Sequence, residues 1–503
     1  KLQSLRLSES LLLLLLLLLQ EMGVELSIEP PTCPVSAAGG ISKHKIVNHT
    51  DRMLAFKIKS SNNSNYSVNV VMGLLQIGYT ADLVITRIKG PPKADKLVIM
   101  YGDVSQDCRD PAPTFKDGKI AGEITGETII KLHVIKKRNI VRQPSIKDAA
   151  FNSFSFAPRS INNEQKYIQD AIAMFTELGF TKNYKIDSAK LAKFVGLVAK
   201  GYRPITYHNW AHGFSVAHTA YLLLRTPTVK AKLTELERFA FLIAALAHDL
   251  DHPGTNNDFQ EKTNSNLKKD YKQPYLENHH LAQAKKILAD PTANILNNLT
   301  PADKNIVMAT IEKMIIDTDI GGHLKKVQEI RKVAEGKAHN KDLFMSLLMT
   351  AADLGDSTKK FHDAENSAEA IMTEFFQQGD QEKKLKVTVT PNFDRTTVSV
   401  PTGQIGFIDF LALPVFDMLA AAVPESKLAL KNILDNKRVW VAMRDYFAKN
   451  GQAGRKGLDF LRDAALEAKM VAAASKSPDY KADYPKNWAP VSQLTVTALA
   501  RAA

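Results

Sequence analysis

Five residues in two short segments have the types and spacing to hold a cation. His208 and His212 stand at i and i+4 in YHNWAH (207–212), a spacing that predicts both on one face of a helix. His248, Asp249 and His252 follow in HDLDH (248–252), directly after Phe239 to Ala247, a run that is apolar almost all round. A buried helix ending in adjacent His and Asp must satisfy those polar groups, and a divalent cation does so. A third segment, LLMTAADLGDSTK (347–359), carries Asp353 out of the apolar stretch Phe344 to Met349. A carboxylate leaving such a core needs a partner. One such histidine alone would read as a hydrogen-bonded core residue; the cluster, with Asp249 and Asp251 beside it, reads as a metal site. Imidazole and carboxylate donors without thiolate suit zinc, magnesium or manganese. Two His and two Asp leave coordination positions open to water, which is the mark of a catalytic rather than a structural site.

The elements carrying these residues are helical. Beyond Glu164 the apolar period is 3.6, with Tyr167, Ile168, Ala171, Ile172, Met174 and Phe175 marking one helix and Leu191, Phe194, Val195, Leu197 and Val198 another. The pattern continues to about Phe447, so residues 166–448 are expected to form an all-α domain. An Ala/Lys-rich tail (449–503) follows, weakly helical through Ala474. Upstream the period is two. Leu54, Phe56 and Ile58 alternate with Ala55, Lys57 and Lys59; Leu97, Ile99 and Tyr101 form a second run, and Ile130, Leu132 and Val134 a third. Short strands separated by turn-rich stretches predict an antiparallel β-sandwich over residues 22–136. Residues 137–165, with KKR, Pro144, Pro158 and many Ser and Asn, read as a linker. Residues 1–21, with Leu11 to Leu19 unbroken behind Lys1 and Arg6, read as a leucine-rich leader or an upstream translation artefact. Nine leucines are too few to span a bilayer, which takes about 20 residues.

Composition narrows the classes. The 503 residues predict two or three domains. Lys+Arg 66 against Asp+Glu 53 gives a net charge of +13. That balance tolerates anionic ligands, but the lysines are scattered rather than gathered in a stripe, so no nucleic-acid partner is expected. KKDYK (268–272) and KKLK (383–386) read as solvated faces. Two cysteines, Cys33 and Cys108, exclude a disulfide scaffold or a Cys-rich zinc site and fit a reducing, cytoplasmic setting. The sequons at Asn48, Asn62, Asn65 and Asn298 therefore carry no expectation of glycosylation.

Two resemblances sharpen this reading. SIEPP (27–31), LAFKIKSSNNSNYSV (54–68) and GPPKADKLVIMYGDV (90–104) resemble a major sperm protein domain of the sperm-specific type. The resemblance implies an immunoglobulin-like sandwich without catalysis that binds proteins or self-associates. Homodimerisation and cytoskeletal or membrane association are expected through it.

The helical part resembles the catalytic domain of the cyclic nucleotide phosphodiesterases, an HD-type fold, through YHNWAH, HDLDH, LENHH (276–280), DTD (317–319), EFFQQGDQEK (374–383), FDR (393–395) and QIGF (404–407). AHGFSVAH (211–218), GTNNDFQ (254–260) and LLMTAADLGDSTK look most like the dual-specificity, cGMP-stimulated branch. The resemblance implies hydrolysis of cAMP and cGMP to the 5′-monophosphate by a hydroxide activated between two ions. The first ion, typically zinc, would take His212, His248, Asp249 and Asp353. Asp249 would bridge to a second, typically magnesium, whose waters are oriented by His252, Glu277 and Thr318. His208 would be the general acid at O3′, with Tyr207 and Asn209 supporting the pocket wall. Gln404 would pair with the purine edge and Phe407 would stack on the ring, with Asp356 near the base.

The chain departs from the family at Pro253, where Arg is usual, at Gly213 for Ala, and at Gly355 for Ser. Asp356 stands where cAMP-selective members carry Asn, and an ionised acid cannot donate to adenine N7, so strict cAMP selectivity is not expected. The other histidines, His218, His279, His280, His323 and His362, read as structural. Two other readings remain: an HD-type phosphohydrolase of linear nucleotides, and a sperm cytoskeletal or adaptor protein whose phosphodiesterase-like half is inert.

Overall fold

The computed structural model describes residues 25–29, 32–36, 39–77, 79–89, 95–135 and 145–476. The leucine run, residues 137–144 and the end of the tail lie outside these. The chain divides into two units, residues 1–143 and 144–503.

Period-two sequence makes the first unit a two-sheet sandwich. One sheet has the order β1(Leu26–Glu29)-β3(Gly40–Asn48)-β7(Thr80–Arg87)-β5(Tyr66–Val68). The other has the order β2(Thr32–Ser36)-β9(Thr125–Ile135)-β8(Asp95–Val104)-β4(Met53–Ser60)-β6(Met72–Leu75). The alternation read from the sequence is the buried face: Leu54, Phe56, Ile58, Leu97, Ile99, Tyr101, Ile130 and Leu132 all lie in the core between the sheets. The sandwich departs from the expected all-antiparallel pairing at one place, because β2 runs parallel to β9. β1 belongs to one sheet and β2, the next strand in sequence, to the other. Asn48, in a sequon, is buried, and its amide donates to Arg52 O (2.8 Å) and Leu75 O (3.2 Å).

The second unit is helical. The Glu235–Ala247 helix starts at a reciprocal cap, Thr234 accepting from Glu237 N (3.3 Å) while Glu237 Oε2 accepts from Thr234 N (2.8 Å). From Phe239 to Ala247 every side chain is buried, each large one contributing about 1.5–3 kcal/mol on leaving water. It packs on the helices Pro301–Ile316 and Trp210–Arg225. Lys341–Asp353 packs on the latter as well. The ends of these core helices deliver the polar residues.

Two boundaries move. The stretch read as a linker is part of the helical unit from residue 145 on: Phe151, Phe154 and Ile161 are buried in its core. Its Pro, Ser and Asn content disguises Phe151 and Phe154, which anchor it, with Phe156 packed against the same core. In the tail, Phe460, Leu461, Leu466 and Met470 join the same core through the Asp459–Arg462 turn and the Ala464–Ala474 helix.

Candidate active site

Three helix ends bring the predicted ligands together. His248 directly follows Glu235–Ala247 and Asp353 ends Lys341–Asp353. His212 lies in the first turn of Trp210–Arg225. His212 Nε2 is 3.4 Å from Asp249 Oδ2 and 3.2 Å from Asp353 Oδ1. His248 Nε2 is 3.1 Å and 3.3 Å from the same two oxygens. Bonds of about 2.0–2.2 Å to one cation place neighbouring donors about 3.0–3.5 Å apart, so the set has the dimensions of a coordination shell.

The donor chemistry agrees. His248 Nδ1–H donates to Ala245 O (3.1 Å), which leaves Nε2 as the lone-pair nitrogen; that atom is fully buried and has no hydrogen-bond partner. A buried lone pair facing two carboxylates needs a cation or a proton between them. Burial opposes charge on His212, yet Asp249, Asp353 and Asp356 outweigh it and hold its pKa well above that of a free imidazole. The residues present fit a divalent cation.

His208 corrects the sequence reading in one respect. It is not on the helix with His212, because Asn209 caps that helix: its Oδ1 accepts from Ala211 N (3.1 Å) and His212 N (3.4 Å). Asn209 Nδ2 donates to Ile205 O (2.8 Å), so the amide expected on the pocket wall is occupied in shaping the turn. His208 lies just before the cap, its ring 5.5 Å from that of His212 and stacked 4.1 Å from that of His252.

What holds His208 was missed in the sequence. Glu374 Oε1 is 2.5 Å from His208 Nδ1, and Glu374 Oε2 accepts from Tyr207 N (2.8 Å) and His208 N (3.3 Å). Burial raises the Glu374 carboxyl, but the imidazole and these backbone donors prevail and keep it below its usual pKa. Glu374, Gln378 and Glu382 recur every four residues on the Phe361–Lys384 helix, and all three are buried. Gln378 accepts from Asn256 N (2.9 Å), tying the segment after HDLDH to this helix. A polar stripe at i, i+4, i+8 inside an otherwise core-facing helix was the available signal.

A cavity of about 320 Å³ joins the parts, with His208, Asp249, His252, Glu277, Thr318, Asp353 and Glu374 all on its wall. His252 Nδ1 accepts from Gly254 N (3.0 Å). Glu277 accepts from Asn257 Nδ2 (2.9 Å) and is pushed up to about 7, chiefly by burial. Thr318 donates its hydroxyl to Ile315 O (2.7 Å). His280, read as structural, also lines the cavity. Its Nδ1–H donates to Leu250 O (2.7 Å), and Nε2 faces Asp249 Oδ1 at 3.7 Å. His218, His279 and His323 do have structural partners: Phe151 O, Asp251 and Thr350.

Asp356, expected near the base, stands instead behind His212. It accepts from Ser215 Oγ (2.5 Å) and Arg159 Nη1 (3.4 Å), and its Oδ2 is 3.6 Å from His212 Nδ1. Arg159 also stacks on the Tyr207 ring at 4.6 Å, and that ring packs 4.8 Å from His212. Gln404 and Phe407 share the Val400–Phe407 helix and are half-buried; neither belongs to the cavity wall described above.

Two of the departures have a steric cause. A Cβ at Gly213 would lie 2.6 Å from the Tyr202 ring, whose hydroxyl donates to Leu246 O (2.8 Å). A Cβ at Gly355 would lie 2.5 Å from Thr219 Oγ1. Nothing in the structure explains Pro253.

His and Asp side chains able to hold a metal ion converge at the ends of buried helices, with a carboxylate-held His on the same cavity. Residues 207–433 match the 3′5′-cyclic nucleotide phosphodiesterase family, and residues 25–123 match the MSP (major sperm protein) domain. The chain belongs to the cyclic nucleotide phosphodiesterase family and carries a major sperm protein domain ahead of the all-α HD-type unit. It is 33% identical over 325 residues to the cone cGMP-specific 3′,5′-cyclic phosphodiesterase subunit alpha′ of Mus musculus, covering 61% of this chain and 38% of that protein. It is 33% identical over 310 residues to a cGMP-specific 3′,5′-cyclic phosphodiesterase of Drosophila virilis, covering 60% and 35%. The chain thus spans little more than a third of the length of these curated relatives. Among solved structures, the phosphodiesterase domain of the RhoPDE fusion protein from the choanoflagellate Salpingoeca rosetta is similar, with 30% identity and a TM-score of 0.57 over 60% of this chain and 98% of that one.

Proposed function

We propose that the helical unit hydrolyses 3′,5′-cyclic nucleotides, cGMP and cAMP, to the 5′-monophosphate. The observation that carries this reading is the convergence of His212, His248, Asp249 and Asp353 at 3.1–3.4 Å across a cavity from the His208–Glu374 pair. The four donors would hold the first cation, zinc by ligand chemistry, and Asp249 would be shared with a second, magnesium or manganese. When bound, the cations supply Lewis acidity at the phosphoryl oxygens and lower the pKa of an attacking water.

The chain's own residues do the rest. Glu374 Oε1 holds the His208 ring at Nδ1, which would leave Nε2–H to serve as the proton donor on the cavity wall. Water forms the new P–O bond, the P–O3′ bond breaks, and His208 Nε2 gives its proton to O3′. A proton from the water restores the imidazolium. His252, Glu277 and Thr318 would orient solvent on the opposite wall. Gln404 and Phe407 would bind the purine. The cGMP specificity in the names of the two curated relatives supports cGMP as one substrate. The major sperm protein domain would serve as a protein-binding or self-association module in the cytoplasm.

The test is turnover of both nucleotides by the full chain with Mg²⁺ or Mn²⁺ added. Release of 5′-monophosphate is the expected result. No turnover of either nucleotide, with metal bound, rejects the reading in favour of an inert phosphodiesterase-like adaptor.

A further inference from the structure

A second group of ligand-type side chains lies elsewhere on the helix that carries Glu374. His362 and Glu365 stand at i and i+3 near the start of Phe361–Lys384 and share a face. Glu374 is nine residues beyond Glu365, about 13 Å farther along at 1.5 Å per residue. From the Ala464–Ala474 helix, Glu467 brings its Oε2 to 3.0 Å from His362 Nδ1. One ligand atom from each of the three lies within 4.8 Å of the other two.

Glu365 makes this more than an acidic cluster. It is 2% exposed, and its Oε1 has no hydrogen-bond partner. The neighbouring Glu369 is already paired with Arg462 at 2.6 Å, so that guanidinium is committed elsewhere. Burial, then the charges of Glu467 and Glu369, push the Glu365 carboxyl up to about 8. A buried carboxylate with an unsatisfied oxygen beside a second carboxylate is costly unless a cation joins them. The imidazole is also suitably backed: Asn366 Nδ2 is 3.3 Å from His362 Nε2. The two ends of an amide are assigned from its contacts; turned over, Asn366 Oδ1 accepts from Nε2–H, the outer bond that ligating imidazoles ordinarily make, and Nδ1 becomes the ligand.

We propose that His362, Glu365 and Glu467 form a divalent-cation site, separate from the catalytic cavity, that takes zinc and clasps the Ala464–Ala474 helix to the Phe361–Lys384 helix. One imidazole and two carboxylates are zinc-type donors, and three protein ligands leave a position for water. The half-exposed His362 side chain gives the ion its way in.

The full chain, stripped of metal and then equilibrated with Zn²⁺ alone, tests this by elemental analysis and thermal melting. The wild type is expected to retain about one more zinc per chain than His362→Ala, Glu365→Gln or Glu467→Gln. It should also gain more in melting temperature on zinc addition, because a ligand bound only by the native state stabilises it. Equal zinc content and equal gain in the wild type and His362→Ala overturn the proposal. His362 is at the surface, so its replacement keeps the test decisive even where the buried Glu365→Gln variant does not fold. Neither readout uses cyclic-nucleotide turnover, so the outcome is independent of the catalytic reading.

Discussion

The two units bury polar groups to opposite effect. In the sandwich, Asn48 donates to Arg52 O and Leu75 O and accepts from Thr50 N (2.9 Å) and Thr50 Oγ1 (2.8 Å), so both ends of the amide are matched and the turn between β3 and β4 is closed. In the helical unit, His212, His248, Asp249 and Asp353 face one another, and His248 Nε2 is left without a hydrogen-bond partner. A saturated polar group stabilises a fold; an unsaturated, convergent one retains the capacity to bind. Among the described residues, every cluster of three or more metal-type ligands lies in the helical unit. The contrast separates a unit whose buried Asn48 is saturated from one whose interior keeps convergent, unsaturated donors.

The strongest attempt to break that contrast is at His208. Its replacement by Ala should lower kcat/KM for cyclic nucleotide by about 10²–10⁴-fold, the usual contribution of a positioned proton donor. Circular dichroism and metal content should be unchanged, since His208 lies outside the ligand set. Glu374→Gln should cost roughly ten- to a hundredfold, the worth of one hydrogen bond to a charged group, and should change the pH profile as well as the rate. If His208→Ala turns over at the wild-type rate, the proton donor is another residue and the cavity has been misread.

His248, Asp249 and Asp353 were legible because each follows or ends an apolar run, where a charged group is conspicuous without any knowledge of the fold; His212 stood out by its spacing from His208. The strands were legible for a similar reason, their alternation being a local property. Partners distant in sequence were not. Glu374 is 166 residues from His208; the polar stripe on its helix marks a buried polar residue but does not name its partner. Asp356 looked like a residue near the base because cAMP-selective members of the family carry Asn at that position; its short turn, Leu354–Thr358, sets it against Ser215 and His212 instead. His208 and His212 looked like helix neighbours because spacing alone does not reveal that Asn209 starts the helix between them. The segment 145–165 looked like a linker because its composition is that of loops, although Phe151 is fully buried.

Core truncation in the sandwich sharpens the comparison from the other side. Phe56 is 1% exposed, sits in the core between the sheets, and lays its ring over Gly73 on the paired strand β6. Phe56→Ala should destabilise the sandwich by about 3–5 kcal/mol. Calorimetry should show the transition of the sandwich lowered and that of the helical unit unmoved, with kcat/KM for cyclic nucleotide unaltered. A parallel loss of turnover would mean that the units are energetically coupled.

The smallest effect concerns acid sensitivity, which the helical unit should owe partly to His218. Its Nε2–H donates to Phe151 O at 2.7 Å, and its ring packs against Phe151, Phe156 and Tyr221. Burial, reinforced by the charge of Lys359 and only partly opposed by the Phe151 carbonyl, pushes its pKa down to about 3. The unfolded chain takes up a proton near pH 6.5 that the folded chain refuses until about pH 3. Stability is therefore unaffected by this group above pH 6.5 and falls as the pH drops below it, by about 2 kcal/mol at pH 5. His218→Gln removes the titration and retains a side-chain N–H for Phe151 O. Its melting temperature should consequently fall less between pH 7.5 and pH 5 than that of the wild type, whatever its absolute value. Equal falls would assign the acid sensitivity to other buried groups, of which His323, pushed down to about 4 by burial, is the next to test.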